Sequence, residues 1–374
     1  MLKSINTVSE FFLKKELDPK NLTDLQQSLL DWFAEYQRKL PWRMEYEPYD
    51  VWISEIMLQQ TQVKTMLPFY HRWMKVLPGI QEVAEADEEV LLKLWEGLGY
   101  YRRVRNIKKT AKMVCKEHGG SLPKEVKDLL KLPGIGRYTA GAIASIGFNQ
   151  PAPVLDGNVT RVLCRLKKIL DPPQLSKVGK ELWRLAEAWI PKGKARHFNQ
   201  ALMELGATLC LPSSPSCLLC PIQHHCLALD SGNVNQIPIK APSKAPKQRY
   251  RACAVIRFNQ SLLFSKRPEN VLLEGLWEFP SIEGDSIKNL KEILEKHVEQ
   301  VYGIMISLGN EFHQLDHRYT NFKTRVSFYQ AEVDGLQVEM DETISWVKFS
   351  ETEKLALPSP YRRFVDWYLK QIVE

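Results

Sequence analysis

Two acidic residues stand where an acid is either costly or useful. Glu55 lies in the middle of Val51-Trp52-Ile53-Ser54-Glu55-Ile56-Met57, an apolar stretch that follows the turn-like Glu47-Pro48-Tyr49-Asp50. A carboxyl group so placed raises the free energy of the fold unless it is paired, protonated or in use. Asp156 closes the run Ala152-Pro153-Val154-Leu155 and precedes Gly157-Asn158-Val159. An aspartate before a helix commonly caps it, and the same position leaves its carboxylate at the rim of a cleft. The plainer alternative for Glu55 is an exposed polar stripe, because Glu55, Gln59 and Gln62 recur at helical spacing on one side of a helix expected over residues 51–63.

A third group is metal chemistry. Four of the seven cysteines fall within a seventeen-residue stretch, Cys210-x6-Cys217-x2-Cys220-x5-Cys226. In a reducing compartment a metal explains that spacing better than disulfides do. Zinc tetrathiolate sites often use two CxxC knuckles; one CxxC is present here, and the spacing suits a compact cubane better. Cys115, Cys164 and Cys253 are scattered in apolar surroundings and read as packed thiols.

The element that must hold this chemistry is Leu129 to Asp156. Its apolar run stops at Leu132-Pro133-Gly134-Ile135-Gly136 and restarts as Tyr138-Thr139-Ala140-Gly141-Ala142, a small-residue helix able to pack closely. Helix, tight glycine turn, helix is the expected order. Gly134 and Gly136 let the main chain approach a ligand, and the N–H groups opening the next helix suit a phosphate of a nucleic-acid backbone; plain packing is the competing explanation. Around Gly97-Leu98-Gly99-Tyr100-Tyr101-Arg102-Arg103, flexible glycines, paired aromatics and nearby cations suit a distorted nucleic-acid strand. Trp42 and Arg43, after Leu40-Pro41, read either as surface packing or as a stacking plate and a forked donor beside a pocket.

At 374 residues the chain has room for two or three domains. Its 51 Lys and Arg against 44 Asp and Glu, net +7, permit a polyanionic partner without proving one. No segment approaches the roughly 20 apolar residues that cross a bilayer, and the first twenty residues carry too many acids for a transit peptide. No membrane partner is expected, and the chain is placed in the cytosol, or in the nucleus of a host that has one. A helix is expected over 23–36, with Leu25, Leu29, Trp32, Phe33 and Tyr36 sharing a side, two helices over 78–119, and a helical pair over 178–189 and 197–210. The proline-rich polar stretch before Gln248 reads as a linker. Beyond it Arg251 to Phe258, Ser261 to Arg267 and Arg325 to Val333 read as strands, and 288–301 and 359–373 as helices.

Taken together, SEIMLQQTQ around Glu55, LPGIGRYTAGA, VLDGNV and the C-x6-C-x2-C-x5-C loop resemble the helix-hairpin-helix DNA glycosylases, and most nearly the MutY-type adenine DNA glycosylases. The resemblance spans about residues 23 to 230, and RPENVLLEGLWEFP downstream resembles the MutT-like (Nudix-fold) C-terminal domain of these enzymes. It implies an all-α helix-hairpin-helix glycosylase domain over 23–230 with a [4Fe-4S] loop at 210–226. An N-terminal extension over 1–22, a linker over 231–248 and an α+β Nudix-fold lesion-recognition domain over 249–374 complete the organisation. The implied activity is base excision repair: adenine opposite 8-oxoguanine or guanine in double-stranded DNA is flipped out and its N-glycosidic bond hydrolysed by a protein expected to be a monomer.

Hydrolysis of an N-glycoside needs an acid to neutralise the leaving base and an anion to steady the oxocarbenium-like sugar. Glu55 is the expected donor to adenine N7 and Asp156 the sugar stabiliser or nucleophile, with Tyr138 and Asn158 orienting them. Related endonuclease-III-type enzymes carry a Schiff-base lysine where this chain has Tyr138, so a monofunctional enzyme is expected. By the same resemblance Trp42, Arg43, Leu58 and Gln200 line the adenine pocket, Gln60 and Tyr100 intercalate, and Leu132, Gly134 and Gly136 hold the DNA backbone. Leu315-Asp316-His317 takes the place of the family's Phe-Ser-His 8-oxoguanine-reading loop, which puts lesion affinity and selectivity in question. Leu290-Lys291-Glu292-Ile293-Leu294-Glu295 lacks the arginine and paired glutamates of a hydrolytic Nudix cassette, so no diphosphate hydrolysis is expected. The competing functions are a glycosylase for T·G mismatches or oxidised pyrimidines and, from another class, a non-catalytic DNA-binding iron–sulfur protein.

Overall fold

The structure, a computed structural model, describes residues 17–239, 245–319, 322–333 and 341–373. Residues 1–16, most of the expected N-terminal extension, lie outside them. The described residues fall into two compact units, one within Met1–Ala84 and Asn106–Pro242, the other within Glu85–Arg105 and Ser243–Glu374.

The helices in chain order are α1 (Pro19–Tyr36), α2 (Pro48–Leu58), α3 (Val63–Val76), α4 (Ile80–Glu85), α5 (Glu88–Trp95), α6 (Arg102–His118), α7 (Val126–Leu129), α8 (Arg137–Ala142), α9 (Gly157–Leu166), α10 (Ser176–Ala188), α11 (Ala195–Thr208), α12 (Leu227–Asp230), α13 (Leu290–Tyr302) and α14 (Ser359–Val373). The first helix starts earlier than its periodicity suggests, because Asp18 accepts a hydrogen bond from Asn21 N and Pro19 occupies the first turn. Leu25, Leu29 and Phe33 face the core, but Tyr36 is 61 % exposed, so the expected apolar side ends one turn sooner. The segment 78–119 holds three helices rather than two, since the chain also breaks between Glu85 and Glu88.

The stretch 51–63 is not one helix. It ends at Leu58; Gln59 leaves helical geometry and Gln60 adopts a left-handed φ of 62° before α3 begins at Val63. Gln59 and Gln62 therefore do not continue a row from Glu55. The polar stripe is absent because both residues stand in the turn, and Glu55 alone remains on a helix whose other middle residues are all buried.

Small residues set how closely the first unit packs. The α8 helix runs on through a π-helical turn, Ile143–Gly147, and a Cβ on Gly141 would stand 2.1 Å from the carbonyl oxygen of Pro153. Val51, Ala142, Ile146 and Val154 form a shared core, which fastens α2, the α8 turn and the extended run before Asp156 to one another. On the far side, a Cβ on Gly206 would stand 2.6 Å from Asn158 Cβ, so α11 lies against the start of α9.

In the second unit a mixed sheet runs in the order β3 (Trp277–Glu278), β2 (Ser261–Lys266), β1 (Lys247–Phe258), β6 (Phe322–Glu332), β5 (Glu311–Arg318), with β4 (Ser281–Gly284) also pairing β1 and β7 (Ile344–Lys348) pairing β2. The β1 and β6 strands are parallel and the other pairings antiparallel. Alternation along β1 divides the core: Ala252, Ala254 and Ile256 pack with Leu294 and Val298 of α13, whereas Cys253 and Val255 pack with Phe364 and Val365 of α14. The β3, β4, β5 and β7 strands were not expected from sequence. The first two are too short for a pattern, and β5 is an edge strand whose Glu311-Phe312-His313-Gln314-Leu315-Asp316-His317-Arg318 is mostly polar.

Replacing Gly141 with alanine forces the added methyl into a main-chain carbonyl that no side-chain rotation can move. Gly141→Ala is expected to lose about 2 kcal/mol or more of stability, read as a lowered Tm of the unfolding transition.

Candidate active site

The site is assembled by α2, α8 and the cap of α9. Glu55 is 2 % exposed on α2. The phenol of Tyr138, in the first turn of α8, donates a short hydrogen bond to Glu55 Oε2. Burial pushes the Glu55 carboxyl up to about 7. The Tyr138 bond and the Arg43 charge pull it down, and the negative field of Asp156 pushes it further up. The group is thus poised between acid and base near neutrality, as a proton donor must be.

Asp156 is held differently. Its Oδ1 accepts from the backbone N–H of Val159 at 2.7 Å as the cap of α9, and its Oδ2 accepts from Asn158 Nδ2 at 2.9 Å. Burial raises the Asp156 carboxyl, opposed by the donors on Val159 and Asn158 and by the Arg161 charge. The spacing that made Asp156 a cap therefore also supplies two donors to its anion. Asn158 is fixed in turn: its Oδ1 accepts from Arg161 Nη2 at 2.9 Å, and the same guanidinium donates to the carbonyls of Gly206 at 2.7 Å and Cys210 at 2.8 Å.

Of the other pocket candidates, Arg43 belongs to a buried charge cluster that the sequence did not reveal, with Trp42 next to it in the chain and Gln200 one turn from Glu204 on α11. Glu204 of α11 has a fully buried side chain gripped by Arg38 at 2.6 and 2.9 Å and by Arg43 at 2.8 Å. Burial alone would raise its carboxyl, but the hydrogen bonds and charges of Arg38 and Arg43 hold it below the usual glutamate value. Arg43 also lies 5.3 Å over the Phe33 ring. Trp42 is buried edge-on against Tyr70 at 5.3 Å, Gln200 is buried with Nε2 donating to the Arg196 carbonyl, and Leu58 is half-buried at the end of α2. The one available signal for Glu204 was an acid inside the apolar helix Ala201-Leu202-Met203-Glu204-Leu205.

The glycine turn lies between α7 and α8. Leu132 is buried, Gly134 has φ of 77°, and a Cβ on Gly134 would meet Asn106 Cβ at 2.6 Å, so the turn needs glycine there for both conformation and space. Gly136 is the N-cap residue of α8. Gln60 is exposed. Tyr100, Leu315, Asp316 and His317 belong to the second unit. There Asp316 pairs with Arg325 across the β5–β6 ladder at 3.0 Å, and His317 packs edge-on against Tyr319 at 4.5 Å.

All four clustered cysteines are free thiols packed on the same core, Cys226 buried and Cys210, Cys217 and Cys220 partly so. Among the described residues, no three His, Cys, Asp or Glu side chains are grouped as a metal would group them. The donor set nevertheless suits a thiophilic cluster. Four sulfurs share one core, and Arg165 Nη1 donates to Cys210 Sγ at 3.2 Å as it would to a thiolate; burial raises the Cys220 thiol to about 12, a proton that ligation would have to displace.

Residues 53–188 match the HhH-GPD superfamily base excision DNA repair protein family, and residues 251–367 match the NUDIX domain. An adenine DNA glycosylase of Buchnera aphidicola is 35 % identical over 350 residues, covering 91 % of this chain and 95 % of the relative. The chain belongs to the adenine DNA glycosylase family. Human adenine DNA glycosylase is 34 % identical over 88 % of this chain and 70 % of its own length, and the Arabidopsis thaliana protein 36 % identical, with the chain spanning 65 % of that relative. Among solved structures, a thermostable thymine-DNA glycosylase superposes with a TM-score of 0.52 at 28 % identity, over 57 % of this chain and 98 % of that one. In this adenine DNA glycosylase-family chain, Arg38, Glu204, Arg161 and Arg165 are the site-supporting residues that the motifs did not flag.

Because folding raises the Glu55 carboxyl above its unfolded value of 4.5, the folded state favours its neutral form. The relative stabilisation is present below pH 4.5 and is lost as pH rises through about 7. That loss amounts to roughly 3 kcal/mol. Glu55→Gln should therefore flatten the pH dependence of Tm and raise Tm above wild type at pH 8.

Proposed function

We propose that this protein is a monofunctional DNA glycosylase of base excision repair that removes adenine mispaired with 8-oxoguanine or guanine from double-stranded DNA. The observation that carries the reading is a buried carboxyl that holds its proton near neutral pH, bound to Tyr138 and within the field of Asp156.

The adenine must leave the base stack to be reached. Trp42, Arg43, Leu58 and Gln200 receive it. The Tyr138 bond occupies Glu55 Oε2, which leaves Oε1 to carry the proton to adenine N7. As the C1′–N9 bond breaks, its electron pair goes to the base, which N7 protonation has made cationic, so adenine departs neutral rather than as an anion. Asp156, its anion supported by Val159 N–H and Asn158 Nδ2, steadies the positive charge on the sugar until water adds at C1′ and gives up a proton to the Glu55 carboxylate. Tyr138 offers a phenol and no amine, so no Schiff base forms there and the strand stays whole.

The DNA backbone is assigned to Leu132, Gly134 and Gly136, the wedge to Gln60 and Tyr100, and contact with the opposing 8-oxoguanine to Leu315, Asp316 and His317. Cys210, Cys217, Cys220 and Cys226 hold a [4Fe-4S] cluster, which when bound pins the loop after α11 rather than taking part in the hydrolysis. The protein acts as a monomer where DNA is found, with no membrane partner; no helix among the described residues is long and apolar enough to cross a bilayer. The likeness to a thymine-DNA glycosylase makes a T·G duplex the necessary competitor in any assay.

Single-turnover assays on A·8-oxoG, A·G and T·G duplexes, with and without alkali, test the reading. Excision of adenine with strand breakage only after alkali is the expected result; faster thymine removal, or breakage without alkali, would overturn it. Glu55→Gln should bind the mispair but lose about 100-fold or more in excision. The wild-type rate should fall as pH rises past about 7, where Glu55 loses its proton. Purified protein is expected to be brown and to contain about four irons per chain, with stoichiometric zinc the contrary result.

A further inference from the structure

The turn that carries Tyr100 is unusual in backbone and in allegiance. Gly97, Gly99 and Tyr100 all have positive φ, at 99°, 71° and 49°. Tyrosine avoids that region unless its surroundings hold it there. Tyr100 is 44 % exposed although Tyr101 beside it is buried. From inside, the turn is braced by the Trp95 indole N–H on the Gly99 carbonyl at 3.0 Å and by Arg103, which donates to the carbonyls of Leu98 and Gly99 and lies 5.4 Å over the Tyr100 ring.

The second brace comes from residues more than 250 positions away. Glu96, the C-cap of α5, accepts from Arg362 Nε at 2.9 Å and from Leu357 N–H at 3.2 Å through Oε1, and its Oε2 accepts from Lys93. Lys93 also donates to the Leu355 carbonyl at 3.1 Å, and Arg362 Nη2 donates to the carbonyls of Thr352 and Leu355. The Glu96 and Arg362 side chains are only 12 % and 19 % exposed, so solvent screens this pair little. Two further ties, Arg105 to Glu88 at 2.8 Å and Lys266 to Glu89 at 2.6 Å, hold the rest of the segment. Residues 85–105, flanked in sequence by helices of the first unit, accordingly fold with the second.

We infer that Glu96 and Arg362 are positioning residues for the DNA wedge: the stretch 352–362 before α14 holds Glu96, and Glu96 sets the left-handed turn that presents Tyr100 to the duplex. Ordering of the C-terminal unit and readiness of the wedge are then one event. The inference rests on the proposed action on DNA and on Tyr100 entering the stack.

The test uses full-length protein and an A·8-oxoG duplex with 2-aminopurine beside the mispair, whose fluorescence rises when a neighbour is unstacked. Arg362→Met is expected to lose most of that rise and to slow single-turnover excision about tenfold at saturating protein. Tyr100→Ala should do the same, and the double variant should be no worse than Tyr100→Ala, because both changes remove one step. A merely structural role would instead leave the fluorescence unchanged or make the two losses multiply, and either result overturns the inference. If Arg362→Met does not fold, Glu96→Gln carries the same test with a smaller expected loss. A silent Tyr100→Ala would sink the wedge reading itself; a damaging Tyr100→Ala beside a silent Arg362→Met would sink only the positioning role.

Discussion

The hydrogen bond between Tyr138 and Glu55 is the constraint from which the site follows. Burial lifts the carboxyl toward neutrality, and the phenol checks that rise, so the proton is held without being locked in place. Neither effect works unless α2 and α8 are tightly apposed. That closeness comes from small residues: Gly147, closing the π-helical turn after α8, lies against Pro48 at the start of α2, where a Cβ would stand 3.1 Å from Pro48 Cα, and Ala142 shares a core with Val51. A larger residue at these positions would alter the dielectric around Glu55 as well as the packing.

Asp156 shows how one local device serves two ends. As a helix cap it satisfies the Val159 N–H, and the same bond, with that from Asn158, supports the anion. The support extends inward, since Arg161 ties Asn158 to the Cys210 and Gly206 carbonyls and Arg165 reaches the Cys210 sulfur. The loop of four cysteines is therefore joined to α9 by two arginines one helical turn apart. Glu204 is held in a comparable way beside Arg43. It is a fully desolvated anion that two arginines must accompany, and one of them, Arg43, also contributes its charge to the environment of Glu55.

The second unit keeps a MutT-like sheet while its helix α13 reads Leu290-Lys291-Glu292-Ile293-Leu294-Glu295, without the paired glutamates that would hold magnesium. Its edge strand β5 instead carries Leu315, Asp316 and His317. The charge of Asp316 is met by Arg325 on the neighbouring strand, so this acid is not left unpaired on the edge of the sheet.

The sequence alone determined what is local. Asp156 caps its helix where its position suggested, the glycines of LPGIG make the turn between α7 and α8, and the apolar neighbours of Glu55 made its burial legible. Strands β1, β2 and β6 were likewise readable because their alternating residues face a core. The tertiary structure decided what depends on distant partners. It ended α2 at Leu58 and removed Gln59 and Gln62 from the row with Glu55, exposed Tyr36, paired Glu204 with arginines more than 160 positions away, and gave residues 85–105 to the second unit. The physical reason is range. Capping, turns and burial periodicity act over a few residues and leave a pattern there, whereas a buried ion pair or a polar edge strand is stable only against a surface built from elsewhere in the chain.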